Sequence, residues 1–478
     1  MRLSPRVLVL LLVALGALGC AHYPVNAKLD RYEKDVGYRF PPSTHEDPAD
    51  ELFVCLSLSG GGTRAAALAY GVMAELKRTE ITWKGKKIFL LDEVDCLSSV
   101  SGGSFTAAYY GLFGERLFKD FYDRFLIRNI QGELIKRAVS NVFRLASPYW
   151  SRIDVAAELY DETVFDKRTY QALVDGRRRP FMILNATNMV TNDHFEFTQN
   201  QFDYLGSDLT SYPVARAVAA SSAFPFLLTP LTLANHSPLA EFGPPVEYVN
   251  ALRDFDVNRR RWQWADHLTG YIDGSRKYLH LMDGGLSDNI GLRSVERAYR
   301  TSDGFIGQRI NGGAIRRLVV IAVNARTQSD DTLSARATAP GILAMGSSTV
   351  NVAMDNYSFE TIELMRRIFD DRLQAARDVE ACQGLLSQHC PSAPRLPTFA
   401  VQLRTCVVEI GFEAISDPAT RKYFLGLGTN FHLPSKDVDA VIAVGGTLLR
   451  DDPGFKSLLD SLTREASGQT LPAPINCN

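Results

Sequence analysis

Leu52-Phe53-Val54-Cys55-Leu56-Ser57-Leu58-Ser59-Gly60-Gly61-Gly62-Thr63-Arg64 is the stretch on which the fold reading turns. Residues 52 to 58 make a continuous, largely apolar run with β-tendency, the pattern of a parallel strand covered on both faces. Three glycines end it. A helix follows, because Leu68, Val72 and Leu76 recur four residues apart, Ala65, Ala69 and Met73 lie beside them, and Lys77-Arg78 complement the helix C-terminus. A strand, a glycine turn and a helix form the first unit of a layered α/β domain that begins near Glu51.

The same order recurs along the chain. A strand of roughly Glu93 to Val100 runs into Ser101-Gly102-Gly103-Ser104 and then an alanine- and tyrosine-rich helix through Tyr110. Phe181 to Ala186 and Arg317 to Val323 read as further buried strands, and His194 to Thr198 alternates like a more exposed one. Strands separated by helical stretches argue for an α/β layered fold. His236 to Lys277, rich in Pro, Arg and Trp without clear period, reads as a surface excursion. Beyond Gln328 the pattern is mainly helical, with strand candidates at Thr398 to Leu403 and Cys406 to Ile410.

With 478 residues, 46% hydrophobic and 22% charged, the chain can bury one large or two smaller cores. Its 52 basic and 54 acidic residues are interspersed, so no polyelectrolyte partner is implied and nucleic acid is not expected as a ligand. Arg2 and Arg6 precede an apolar run from Val7 to Leu18, too short to span a bilayer but right for a secretory signal. It ends in Ala17-Leu18-Gly19-Cys20, which resembles the lipobox of bacterial lipoproteins, although Ala17 stands where leucine is usual. That resemblance implies a diacylated Cys20, with each buried CH₂ adding roughly 0.8 kcal/mol of membrane affinity. Ala21 points to an outer-membrane lipoprotein of a Gram-negative bacterium; a plain signal peptide and a periplasmic or secreted protein is the alternative. Residues 20–50, carrying Pro24, Pro41, Pro42 and Pro48, read as anchor and tether. The expected organisation is a signal peptide over 1–19, tether 20–50, catalytic domain 51–330, and a mainly helical region 331–478 packing on or extending it.

Cys55 and Cys96 lie in strand-like runs and read as small buried hydrophobes. Cys382 and Cys390 could close a short loop in an oxidising compartment, while Cys406 and Cys477 are left unassigned. No cysteine or histidine spacing suggests zinc, and no acidic loop suggests calcium, so no metal or cofactor is expected.

Three elements carry chemistry. Ser99-Val100-Ser101-Gly102-Gly103 sits at a strand-to-helix turn, where small neighbours expose a hydroxyl as in a nucleophile elbow, although a serine beside glycines also suits an ordinary helix cap. Ser99 replaces the first glycine of the G-x-S-x-G pattern. Gly60-Gly61-Gly62 offers consecutive N–H groups at a helix N-terminus, where an oxyanion can be held. It matches neither the G-x-G-x-x-G nor the phosphate-loop pattern. Arg64 can brace that loop or meet substrate charge. Leu281-Met282-Asp283-Gly284-Gly285 delivers a carboxylate onto a glycine turn, the form of a positioned base. A plain Asp-Gly turn looks the same, and Tyr271-Ile272-Asp273-Gly274 makes Asp273 the rival base.

Taken in order, these blocks resemble the patatin-like phospholipase family: Gly60-Gly61-Gly62-Thr63-Arg64 as its glycine-rich oxyanion loop, Ser99 to Gly103 as its elbow, Asp283-Gly284-Gly285 as its D-G-G/A motif, and Ala220-Ser221-Ser222-Ala223-Phe224-Pro225 as its A-S-x-A-x-P segment. The departures are Ser99 and Ala65, the latter standing where the family often has glycine. The resemblance covers about residues 51 to 330. It implies a three-layer α/β/α fold with a largely parallel central sheet, Ser101 as nucleophile and Asp283 as base of a dyad, and lipid ester cleavage through an acyl-enzyme. A Ser-Asp-His triad using His389 or His432 is the rival mechanism. An acyltransferase on the same dyad and a non-catalytic envelope binding protein are the rival functions.

Overall fold

In the computed structural model, residues 24–41, 51–176, 179–225, 227–239, 241–301, 303–328, 337, 341–396 and 403–467 are described. The expected signal peptide, Cys20, Cys477 and most of the 398–403 strand candidate lie outside the described residues.

Eight of the described strands share one sheet: β1 (Leu52–Leu58), β2 (Val94–Val100), β3 (Phe181–Asn188), β4 (His194–Glu196), β5 (Leu231–Ala234), β6 (Tyr278–Asp283), β7 (Arg317–Asn324) and β8 (Arg404–Gly411). Their order is β8-β7-β1-β2-β3-β6-β5, with β4 also on β3. The run from β8 to β3 is parallel, whereas β6 joins β3, β5 joins β6 and β4 joins β3 antiparallel. Every residue of β1, β2, β3 and β7 is buried, as expected of parallel strands covered on both faces; the polar Asp95, Ser98 and Ser99 of β2 are buried too, each held by hydrogen bonds. The 331–478 region supplies β8, which extends the parallel ladder through Arg317↔Arg404 to Asn324↔Gly411.

Side-chain alternation along β1 separates the layers. Leu52, Val54, Leu56 and Leu58 join a core that includes α1 (Gly62–Arg78), α2 (Ser101–Phe113) and α3 (Val214–Ser221). Phe53 and Cys55 face the other way, into a core built with α5 (Leu292–Arg300) and the long helix α6 (Ile342–His389), which follow α4 (Arg259–Ile272) in the chain. The sheet therefore lies between two helical layers, and α7 (Ser435–Asp451) packs along α1 on the outside of the first.

Two sequence expectations need correcting. The 236–277 segment is not an irregular excursion, since it contains a helix over Val246–Ala251 and the fourteen-residue α4. Of α4, only Ala265 and Tyr271 are buried, so its apolar stripe is too narrow to show as a period. The cysteine readings also change. Cys55 and Cys96 stand opposite each other on adjacent strands, 4.6 Å apart at Cα, and are joined in a disulfide. Cys382 and Cys390 are free and exposed at the end of α6. Eight residues along a helix separate them by about 12 Å, which a disulfide cannot bridge. Cys406 on β8 is disulfide-bonded.

Sheet register fixes what happens at the carboxyl ends of the strands. Leu58 is level with Ser99, so the glycine loop and the serine turn leave neighbouring strands together. Val100 is level with Asn185, and Asp283 pairs with the next residue, Ala186. Ser101 and Asp283 thus emerge from strands flanking β3 at nearly the same height.

Candidate active site

A cleft of about 330 Å³ opens at this end of the sheet, where α/β folds hold ligands. Its wall includes Gly60, Gly61, Gly62, Ser101 and Asp283, which come from three separate turns.

Ser101 is 7% exposed and begins α2 with φ +48°, a left-handed conformation that side chains adopt at a cost of order 1–3 kcal/mol. Several contacts hold it there. Its N–H donates to Ser221 Oγ at 2.9 Å, Ser221 Oγ contacts Ser104 Oγ at 3.0 Å, and Ser104 Oγ donates to Ser99 Oγ at 3.2 Å. Ser99 lies within β2 and is not among the positive-φ residues, so the missing elbow glycine leaves no backbone strain at that position. Its hydroxyl takes part in the bonding beneath the turn instead.

Asp283 ends β6 and is 2% exposed. Its Oδ1 accepts the Gly285 N–H at 2.8 Å, and the Ser101 side chain lies near enough to its carboxylate to favour the charged form. Burial pushes this carboxyl up from 3.8 to about 7, against the lowering effect of the Gly285 N–H and the Ser101 hydroxyl. A carboxylate at its ordinary value would be a poor proton acceptor for an alcohol, and one poised near neutrality is a better one. Asp273, the rival, sits exposed in the turn after α4, where its Oδ1 accepts the Ser275 N–H. His389 and His432 are exposed and do not line the cleft.

The block at residues 220–225 holds the backbone that carries both side chains. Ser221 supports Ser101 through its hydroxyl and accepts the Gly284 N–H on its carbonyl at 3.1 Å, while Ala223 O accepts the Asp283 N–H at 3.0 Å. Thr187 Oγ1 adds a bond to Asp283 O at 2.8 Å. Sequence reasoning recognised this block without giving it a role, because its partners are backbone groups far along the chain.

The glycine loop needs one correction. The Gly60 N–H donates to Asn289 O at 2.9 Å, so it is committed to the scaffold and unavailable to a ligand. The N–H groups of Gly61 and Gly62 have no acceptor among the described residues, and neither has that of Gly102, while Gly103 donates to Ser59 O at 3.2 Å. Unpaired donors beside a buried hydroxyl make an anion-accepting corner. Gly62 takes φ +61°, and a Cβ there would stand 2.2 Å from Asn430 O, which accepts the Thr63 N–H at 2.9 Å. The C-terminal region therefore forms part of the loop's support.

Arg64 is 2% exposed and braces the loop. Its Nε donates to Ala325 O at 2.9 Å, Nη1 to Leu427 O, and Nη2 to Thr429 Oγ1 at 3.0 Å. The cleft changes character along the sheet edge. Beyond β7 it is polar, with Gln328 and with Arg326 between Asp355 and Glu413 at 3.5 Å each. Toward Asp283 it is lined by Phe224, Leu227 and Phe431. Among the described residues, no group of three or more His, Cys, Asp or Glu side chains is placed to hold a metal.

No curated protein sequence matches the chain. Among solved structures, human GIVD cytosolic phospholipase A2 is 13% identical with a TM-score of 0.43, covering 88% of this chain and 63% of that one. The same human enzyme in complex with methyl gamma-linolenyl fluorophosphonate is 12% identical with a TM-score of 0.40, covering 88% and 60%. VipD from Legionella pneumophila is 11% identical with a TM-score of 0.30, covering 86% and 67%. The chain spans less than two thirds of the human chains it matches. A family model described as patatin-like phospholipase matches residues 56–295, half of the chain, from β1 into α5. The chain belongs to the patatin-like phospholipase family.

Proposed function

We propose that the chain is a serine acyl hydrolase acting on membrane lipid esters, with Ser101 as nucleophile and Asp283 as its base. The observation that carries this is the meeting of Ser101 and a buried carboxyl raised to about 7 in one cleft, beside the N–H groups of Gly61, Gly62 and Gly102, which have no acceptor among the described residues. Asp283 takes the Ser101 proton as Oγ attacks the ester carbonyl, and the oxyanion that forms is stabilised by those N–H groups. Losing one such donor costs about 2.7–4 kcal/mol of transition-state stabilisation. Asp283 then passes the proton to the leaving alcohol, and water resolves the acyl-enzyme. The apolar wall of Phe224, Leu227 and Phe431 suits an acyl chain, and the polar end near Arg326 and Gln328 suits the alcohol portion.

The test is incubation with phospholipid vesicles, with products identified by mass spectrometry. Free fatty acid with wild type and none with Ser101→Ala supports the reading; equal release by both defeats it. The lipid anchor on Cys20 and an outer-membrane location belong to the same proposal, because they would place the cleft beside its substrate. Incorporation of labelled fatty acid into the protein, abolished by Cys20→Ala, tests that part.

A further inference from the structure

Asn185 is fully buried on β3, between the strands that carry Ser101 and Asp283. Burying an amide costs free energy unless its polar atoms are paired. Its neighbours fix which way round this one stands. Nδ2 donates to Ser99 O at 2.9 Å, a carbonyl that can only accept, and to Ser98 Oγ at 2.8 Å, whose own proton goes to Gly291 O at 2.6 Å. Oδ1 accepts the Ser294 hydroxyl from α5 at 2.8 Å, which leaves Ser294 Oγ to accept from His194 Nε2 at 2.9 Å. The hydrogen bonds thus run in one direction, from His194 through Ser294 and Asn185 to Ser98 and the carbonyl of Gly291.

This chain of bonds reaches all three turns of the cleft. Ser98 and Ser99 end the strand from which the nucleophile turn springs, and the strained φ of Ser101 persists only where its surroundings over-determine it. Ser221 and Ser104 hold the turn from the helix side, and Asn185 holds it from the strand side. The main chain of Asn185 supports the other partner. A Cβ at Gly284, the residue after Asp283, would stand 2.4 Å from Asn185 O and 3.1 Å from Val100 Cγ1, so the turn bearing the carboxylate packs directly on both. Gly291, where the chain of bonds ends, lies two residues from Asn289, whose carbonyl holds the Gly60 N–H of the glycine loop. Packing alone does not call for an amide at this place, since leucine has nearly the same shape and asks for no partners.

We infer that Asn185 is a positioning residue that sets the place of Ser101 relative to Asp283, an inference that rests on the hydrolase reading above. It touches neither substrate nor the reacting atoms and acts through Ser98, Ser99 and the turn at Gly284. Without its two donors the end of β2 is free to relax the strain at Ser101, and the geometry between hydroxyl and carboxylate loosens. A misplacement of about 1 Å between reacting groups lowers a rate by about a hundred-fold, so even a fraction of that shift is measurable.

The test is labelling of Ser101 in the full chain by a fluorophosphonate, with the rate constant and the final stoichiometry both read by intact mass. Asn185→Leu should label to full stoichiometry with its rate constant lowered on the order of ten-fold. Its pH midpoint should stay near 7, because Asp283 keeps its burial and the Gly285 N–H. Ser294→Ala removes one hydrogen bond of the chain and should slow labelling by about three-fold. A merely structural asparagine would lower the stoichiometry, through unfolded molecules, and leave the rate constant of the remainder unchanged. That result, or the wild-type rate in either variant, overturns the inference and leaves the hydrolase reading standing. If Asn185→Leu does not fold, Ser294→Ala decides alone by the same criteria. Absence of labelled Ser101 in wild type overturns the reading itself, and the inference with it.

Discussion

Replacing Asp283 by Asn should make the protein more stable at alkaline pH while removing its activity. The magnitude follows from the carboxyl's rise from 3.8 to about 7 on burial. Because the folded state holds this proton more tightly than the unfolded chain, the stability tied to it is full below 3.8. It is lost as pH rises toward about 7 and stays lost above. Ionisation in the folded state therefore costs about 4 kcal/mol at pH 8, of which about 3 kcal/mol accrues between pH 5 and pH 8. Asn keeps the local bonds without the charge, since its oxygen can accept the Gly285 N–H and its amide can donate to Ser101 Oγ. Asp95 is also raised to about 7, but it is present in both proteins and cancels in the comparison. Urea unfolding of wild type and Asp283→Asn at pH 5 and pH 8 measures the difference. The advantage of the variant should grow by about 3 kcal/mol between the two. A constant advantage, or one that shrinks as pH rises, would refute the claim that burial holds this carboxyl near neutrality.

Other outcomes follow from the same geometry. Ser101→Gly should remove the strain at φ +48° and raise stability by about 1 kcal/mol, with no fatty acid released from vesicles. Gly62→Ala should destabilise by about 2 kcal/mol or more, because its Cβ would collide with Asn430 O at a positive φ; activity should fall with it, since the loop is displaced. Replacing Cys55 and Cys96 together by alanine opens a loop with a sequence separation of 41 and should cost about 4 kcal/mol in urea unfolding.

What could be read from the sequence was local. β1, β3 and β7 declared themselves through the apolar runs that strands buried on both faces carry, whereas β2, with Asp95, Ser98 and Ser99, and the alternately buried β6 were marked mainly by the glycine turns that follow them. What could not be read was pairing. The Cys55–Cys96 bond depends on register between two strands, and a run of residues carries no register with a distant one. The C-terminal region was legible as helix with a strand or two. That Leu427, Thr429 and Asn430 support the glycine loop through backbone and hydroxyl groups was not. Gly60 looked equivalent to Gly61 and Gly62 until the carbonyl of Asn289 claimed its N–H. The helix α4 was missed for a different reason: with two buried positions it lacks the apolar stripe by which helices are recognised.

The dyad is tested most directly by the pH dependence of Ser101 modification by a fluorophosphonate, followed by peptide mapping of the adduct. The rate should rise through one ionisation near pH 7 in wild type, with the label on Ser101, and should be lost in Asp283→Asn. A pH-independent rate, a label on another residue, or wild-type labelling of Asp283→Asn would contradict the assignment of Asp283 as the base for Ser101.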